Sequence, residues 1–129
     1  MTKPIIYLCG NPLLAFDSLP LRLKPGLTKA LPQFNFIEID PTENLHPING
    51  ELTIIDTILD IDNVKIFTDI GQIKNSPQYS LHDLDLGFNL KLLQKIGTLK
   101  KVTIYGVPPN LSITVALSQI TTLLKKIQD

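Results

Sequence analysis

Short, continuously apolar runs alternate along the chain with stretches whose apolar residues recur at helical spacing. Pro4 to Gly10 is apolar throughout and closes at Gly10-Asn11, the pattern of a strand covered on both faces. Asn35 to Asp40 alternates between faces and stops before Pro41, which predicts a second strand. Leu52 to Asp56, Val64 to Thr68 and Val102 to Gly106 predict a third, a fourth and a fifth. The clearest helix is the last: Ile113, Leu117, Ile120, Leu124 and Ile127 recur at spacings of four and three behind Asn110 and Ser112 as candidate N-caps. A second amphipathic helix is expected from about Asp85 to Ile96, with Leu86, Leu90 and Leu93 inward and Gly97 as its stop. Between the first two strands, Pro20 suits a first helical turn, whereas Pro25-Gly26 interrupts a continuous helix, so two short pieces are expected.

Strands separated by helices imply an α/β fold, because a crossover between parallel strands needs a covering element. The expectation is a three-layer, twisted, mostly parallel five-stranded sheet with helices on both faces. The segment from Asp56 to Val64 is too short for a full helix, which leaves room for strand four to run antiparallel at an edge.

Composition narrows the class. With 129 residues, 43% of them hydrophobic, the chain suffices for one domain with a real core, spanning 1–129. Twelve basic residues balance twelve acidic ones without a long run of either sign, which argues against nucleic acid or an anionic membrane as partner. The apolar stretch Pro4 to Cys9 is too short for a membrane span and lacks the flanks of a signal peptide, so a cytoplasmic protein is expected. Cys9 is the single cysteine; it excludes an internal disulfide and reads as a small core residue.

In open α/β sheets, sites gather at the carboxyl ends of the strands. Three polar stretches fall there: Asn11 to Ser18, which contains Asp17; the end of strand three at Asp56; and Ser80-Leu81-His82-Asp83. Two carboxylates and an imidazole on separate loops suit a borderline divalent ion such as nickel or zinc. Each also has a plainer reading: Asp56 as a turn residue, Asp17 as the cap of the first helical turn, His82 as a solvated loop histidine. Asp60, Asp62 and Asp83 add negative charge nearby or are simply solvated, and His46 beside Pro47 is either an accessory ligand or an ordinary loop residue.

Beyond these patterns, Gly10-Asn11-Pro12-Leu13-Leu14 with Asp17 and Pro20 resembles the GNxLxxDD/E motif of the hydrogenase maturation endopeptidases. Ile54-Ile55-Asp56 resembles that family's strand-end aspartate and Ser80-Leu81-His82 its SxH motif. Ile104-Tyr105-Gly106-Val107-Pro108-Pro109 followed by Leu111-Ser112 is similar to its late strand-turn-helix signature. The resemblance implies a phosphorylase/hydrolase-like α/β fold. It also implies that Asp17, Asp56 and His82 form the catalytic and metal-contacting set of an aspartyl endopeptidase-like hydrolase, with no catalytic serine or cysteine. The implied partner is the hydrogenase large-subunit precursor, which loses its C-terminal extension, and a small, transiently acting processing protein is expected to be a monomer. The implied metal is nickel, supplied by that precursor and replaceable in vitro by cadmium or zinc. The chain departs from the motif at Phe16, where the family carries an acid, and at Ser18-Leu19-Pro20 in place of a following glycine. Phe16 favours an alternative: a non-proteolytic metal-sensing or chaperone-like binding module of the same fold. A nucleotide-binding flavodoxin-like domain is disfavoured, since the turn after strand one lacks a glycine-rich phosphate cradle.

Overall fold

The computed structural model of the chain describes residues 3–10, 13, 18–39, 45–68, 80–81, 93, 95 and 97–128. Its strands are β1 (Ile5–Cys9), β2 (Asn35–Ile39), β3 (Glu51–Leu59), β4 (Lys65–Phe67), β5 (Ser80–Leu81) and β6 (Lys101–Val107); its helices are α1 (Leu19–Arg22), α2 (Lys24–Ala30) and α3 (Ile113–Gln128). The main sheet has the order β2-β1-β3-β6-β4, and β5 pairs with β3 off this path. β1 lies parallel to β2 and β3, and β3 parallel to β6. β4 closes the edge antiparallel to β6, as the short connection from β3 allows.

The central strands are apolar on both sides because both faces are covered. On one face Ile6, Leu8, Phe36, Ile55, Tyr105 and Val107 pack against Leu19, Leu23, Leu27 and Leu31 and against Ala116, Ile120 and Leu124 of α3. On the other, Tyr7, Cys9, Ile54, Ile58, Phe67, Val102 and Ile104 form a second cluster with Leu45 and Leu99, and Leu93 packs against it. Leu93 and Lys95 are helical. Gly97 then takes φ 82, and the Thr98 N–H donates to the Leu93 carbonyl at 3.0 Å, so the expected stop at Gly97 is present. The remainder of the expected helix from Asp85 to Ile96 lies outside the described residues. The fold is α/β and mostly parallel, with helical segments contributing to both faces.

Several sequence expectations shift. The two short helices are there, but the break falls at Leu23 rather than at Pro25-Gly26: Pro25 occupies the first turn of α2, where a missing N–H costs nothing. Of the two candidate caps of α3, Ser112 serves, its hydroxyl accepting the Val115 N–H at 3.2 Å. The buried stripe of α3 is Ala116, Ile120 and Leu124, while Ile113, in the first turn, is 40% exposed. The third strand does not end at Asp56; it runs on to Leu59, because beyond the parallel ladder a new partner, β5, takes it up. Ser80-Leu81, expected in a loop, is that strand.

Candidate functional site

Asp56 stands at the carboxyl edge of the parallel sheet. The β3–β6 ladder pairs it with Gly106 and ends one step later at Thr57 and Val107. On the other side, the register of Leu8 with Ile55 continued by one residue sets Cys9 beside Asp56. Side chains alternate along a strand, so Asp56 shares its face with Ile54 and Ile58, among Cys9, Phe67 and Ile104. It is 1% exposed. A carboxylate buried this deeply in an apolar cluster needs hydrogen bonds or a cation to offset its lost hydration.

Polar burial is concentrated at this end of the molecule. Among the described residues the buried polar side chains are Ser18, Asp56 and Thr57. Asp56 and Thr57 adjoin the end of the ladder, and Ser18 precedes α1, which packs against β1 and β3. Thr57 points to the opposite face, its hydroxyl buried and without a hydrogen-bond partner among the described residues. Sequence reasoning missed Thr57; its only signal is its place next to Asp56.

Of the three residues expected to act together, the structure describes Asp56. Asp17 and His82 lie outside the described residues. Their chain neighbours are placed. Ser18, not Asp17, holds the N-cap position of α1, and its hydroxyl accepts a hydrogen bond from Arg22 Nε at 3.1 Å. Leu81, which precedes His82, pairs with Ile58, two residues beyond Asp56. Among the described residues no group of three or more histidine, cysteine or carboxylate side chains suits a metal ion.

The other candidates separate from this edge. His46 lies with Glu51, Asn49, Tyr7 and Ile5 around a cavity of about 190 Å³ at the amino end of β3. Five steps along the strand separate Glu51 from Asp56, roughly 17 Å at the usual rise, so His46 is no accessory to Asp56. Asp60 and Asp62 are exposed in the turn after β3, where Asp60 takes φ 64. Cys9 is fully buried, as expected of a core residue. No described helix is long and apolar enough to cross a membrane.

No protein-family model matches the chain. No curated protein sequence matches it either. Solved structures do. The hydrogenase maturating endopeptidase HybD from E. coli is similar at 23% identity, over 98% of this chain and 94% of that one, with a TM-score of 0.62. The endopeptidase HycI from Escherichia coli is similar at 17% identity, over 99% of this chain and 92% of that one, with a TM-score of 0.65. The chain therefore has, over almost its whole length, the fold of these two endopeptidases.

Proposed function

We propose that the chain is a hydrogenase maturation endopeptidase, which recognises nickel in the hydrogenase large-subunit precursor and removes the precursor's C-terminal extension. The observation that carries this reading is Asp56: a buried carboxylate at the carboxyl edge of a sheet whose fold two endopeptidases share. The motif resemblances at Gly10 to Asp17, Ser80 to His82 and Ile104 to Pro109 support it, since β1, which leads into the first, β5, which opens the second, and β6, which carries the third, all lie at that edge. The exposed apolar side chains Leu13, Ile113 and Val115 follow β1 and β6 at that end and suit contact with a protein substrate.

The donor set fits the metal. Two carboxylates and an imidazole, from Asp17, Asp56 and His82, match a borderline divalent ion, and the burial of Asp56 strengthens its pull on a cation. In this mechanism the three side chains contact nickel already seated in the precursor, which fixes the scissile bond against the sheet edge. Bound there, the metal supplies Lewis acidity. A carboxylate of the set accepts the proton of the attacking water as general base. The protein needs no resident metal for this, because its substrate brings one.

The test is cleavage of purified precursor. Wild-type protein is expected to cut nickel-loaded precursor and leave nickel-free precursor intact, and Asp17→Ala and His82→Ala are each expected to abolish cutting. Cleavage of nickel-free precursor, or retained cleavage by either variant, sinks the mechanism. The second reading, a binding module that holds the precursor without cutting it, is favoured by Phe16 at the position of the missing acid. It requires nickel-dependent binding of the precursor with no product formed.

A further inference from the structure

We infer that Gly106 is a positioning residue for the Asp56 site: by carrying no side chain it lets Ile58 settle over the sheet, and so holds the β3–β5 pairing beside Asp56. The inference deepens the proposed function and takes the identity of the site from it.

Gly106 and Asp56 are register partners, side by side on one face of the sheet. The space above Gly106 is taken. A Cβ there would overlap Ile58 Cγ1 and stand 3.0 Å from Ile58 Cβ and 3.1 Å from Phe67 Cε2. Real Cβ atoms essentially never come as close as this one would to Ile58 Cγ1, and the other two contacts are tighter than most, so a side chain at 106 requires Ile58 to shift and Phe67 to give by a few tenths of an ångström. Ile58 has little freedom to yield. It is fully buried, and a residue branched at Cβ has few χ1 alternatives.

Ile58 also occupies the junction between two ladders. The parallel β3–β6 ladder ends at Thr57 and Val107, and Ile58 is the next residue, pairing antiparallel with Leu81 of β5. Its side chain therefore rests on Gly106 while its backbone holds β5. Pushing that side chain up lifts the strand at the point where it leaves Asp56, and the β3–β5 pair goes with it. Gly106 touches no reacting atom; it acts through Ile58 on the geometry around Asp56.

The test compares Gly106→Ala, Ile58→Ala and the double variant by two readouts. One is cadmium affinity by calorimetry. The other is amide hydrogen exchange at residues 58–59 and 80–81, with the β1–β2 amides as internal reference. Gly106→Ala is expected to weaken cadmium binding about tenfold or more, the usual range for a residue that orients a ligand. It should speed exchange in the β3–β5 pair and leave β1–β2 protection unchanged. Adding Ile58→Ala removes the overlapping Cγ1, and the new methyl at 106 occupies the space it leaves, so the double variant should recover most of both losses. Wild-type cadmium affinity in Gly106→Ala, or no recovery in the double variant, overturns the inference. If wild-type protein alone binds no cadmium, the proposed function stands untouched, because its nickel comes with the precursor, and the metal readout drops out. Exchange then decides alone: selective loss in the β3–β5 pair upholds the positioning role, and unchanged protection overturns it. Should Gly106→Ala unfold the chain, Ile58→Ala by itself must loosen the β3–β5 amides ahead of the β1–β2 amides; equal loss overturns the inference.

Discussion

The two edges of the same sheet carry similar chemistry and treat it in opposite ways. At the amino edge β3 begins in a tight turn, Ile48 to Glu51, whose central Asn49 and Gly50 both have positive φ and whose ends exchange two backbone hydrogen bonds of 3.0 Å. Around it stand His46, Glu51 and an exposed ion pair from Lys101 Nζ to Glu51 Oε1 at 3.8 Å. At the carboxyl edge β3 does not turn; it overruns the parallel ladder, picks up β5, and leaves Asp56 and Thr57 buried behind it. A carboxylate stands at either end of the parallel ladder, Glu51 at one and Asp56 at the other. Burial separates the two. Exposed charges are hydrated and screened, so they grip a cation weakly. A carboxylate in a low-dielectric setting attracts one strongly.

The largest expected difference between the edges is in activity. Asp56→Asn keeps the size of the side chain and removes its charge, and it is expected to lower cleavage of nickel-loaded precursor by about 10²–10⁴-fold. His46→Ala is expected to leave the rate unchanged. Equal losses in the two variants would erase the distinction. In stability, Phe67→Ala beneath the carboxyl edge removes a fully buried ring that closes over Gly106, and should cost about 3–5 kcal/mol in urea unfolding. Ile48→Ala at the amino edge, where the side chain is half-exposed, should change stability by about 0.5 kcal/mol or less. Between these lies Gly50→Ala: at φ 79 a side chain is strained whatever room it has, and the expected cost is about 1–2 kcal/mol with cleavage intact. A loss of cleavage in Gly50→Ala, with stability accounted for, would tie the amino-edge turn to the site.

The parallel core was legible because its strands are covered on both faces and read as unbroken apolar runs; Ile5–Cys9 and Lys101–Val107 needed only a residue or so of adjustment. The reach of β3 past Asp56 was not legible. Thr57 to Leu59 looks like any apolar continuation into a turn, and what makes it strand is a partner 21 residues away in sequence, since Leu59 pairs with Ser80. The Asn49-Gly50 turn carried its own local signal, a pair suited to positive φ at both positions, and went unread because no strand precedes it closely. At the site, Asp56 could be named from its position after Ile54-Ile55, but its depth could not: burial is a property of Cys9 and Phe67 arriving from other elements. The role of Gly106 was invisible for the same reason, since glycine in a strand announces a close approach without saying what approaches.

The smallest effect concerns Tyr105, next to Gly106 on the same strand but facing the helices. Like Asp56 it buries a polar atom, and its hydroxyl has no hydrogen-bond partner among the described residues. If burial at the carboxyl edge serves the site while that of Tyr105 serves only packing, removing the hydroxyl should cost no activity and relieve its desolvation. Tyr105→Phe is expected to cleave normally and to gain about 1 kcal/mol of stability. The pH dependence gives an independent check. Desolvation raises the phenol above its ordinary value of 10.0, because burial disfavours the phenolate. Below pH 10 both folded and unfolded chains hold the proton, and the full stability is present. Above it the unfolded chain releases its proton first, so the folded state binds more protons and stability falls as pH rises toward the folded value. The loss attributable to this group is at most about 1.4 kcal/mol per pH unit, and it should vanish in Tyr105→Phe. Urea midpoints of both proteins between about pH 8 and 11 measure the difference directly. Parallel curves across that range would mean that the hydroxyl is solvated or paired in solution, and the contrast with Asp56 would then rest on activity alone.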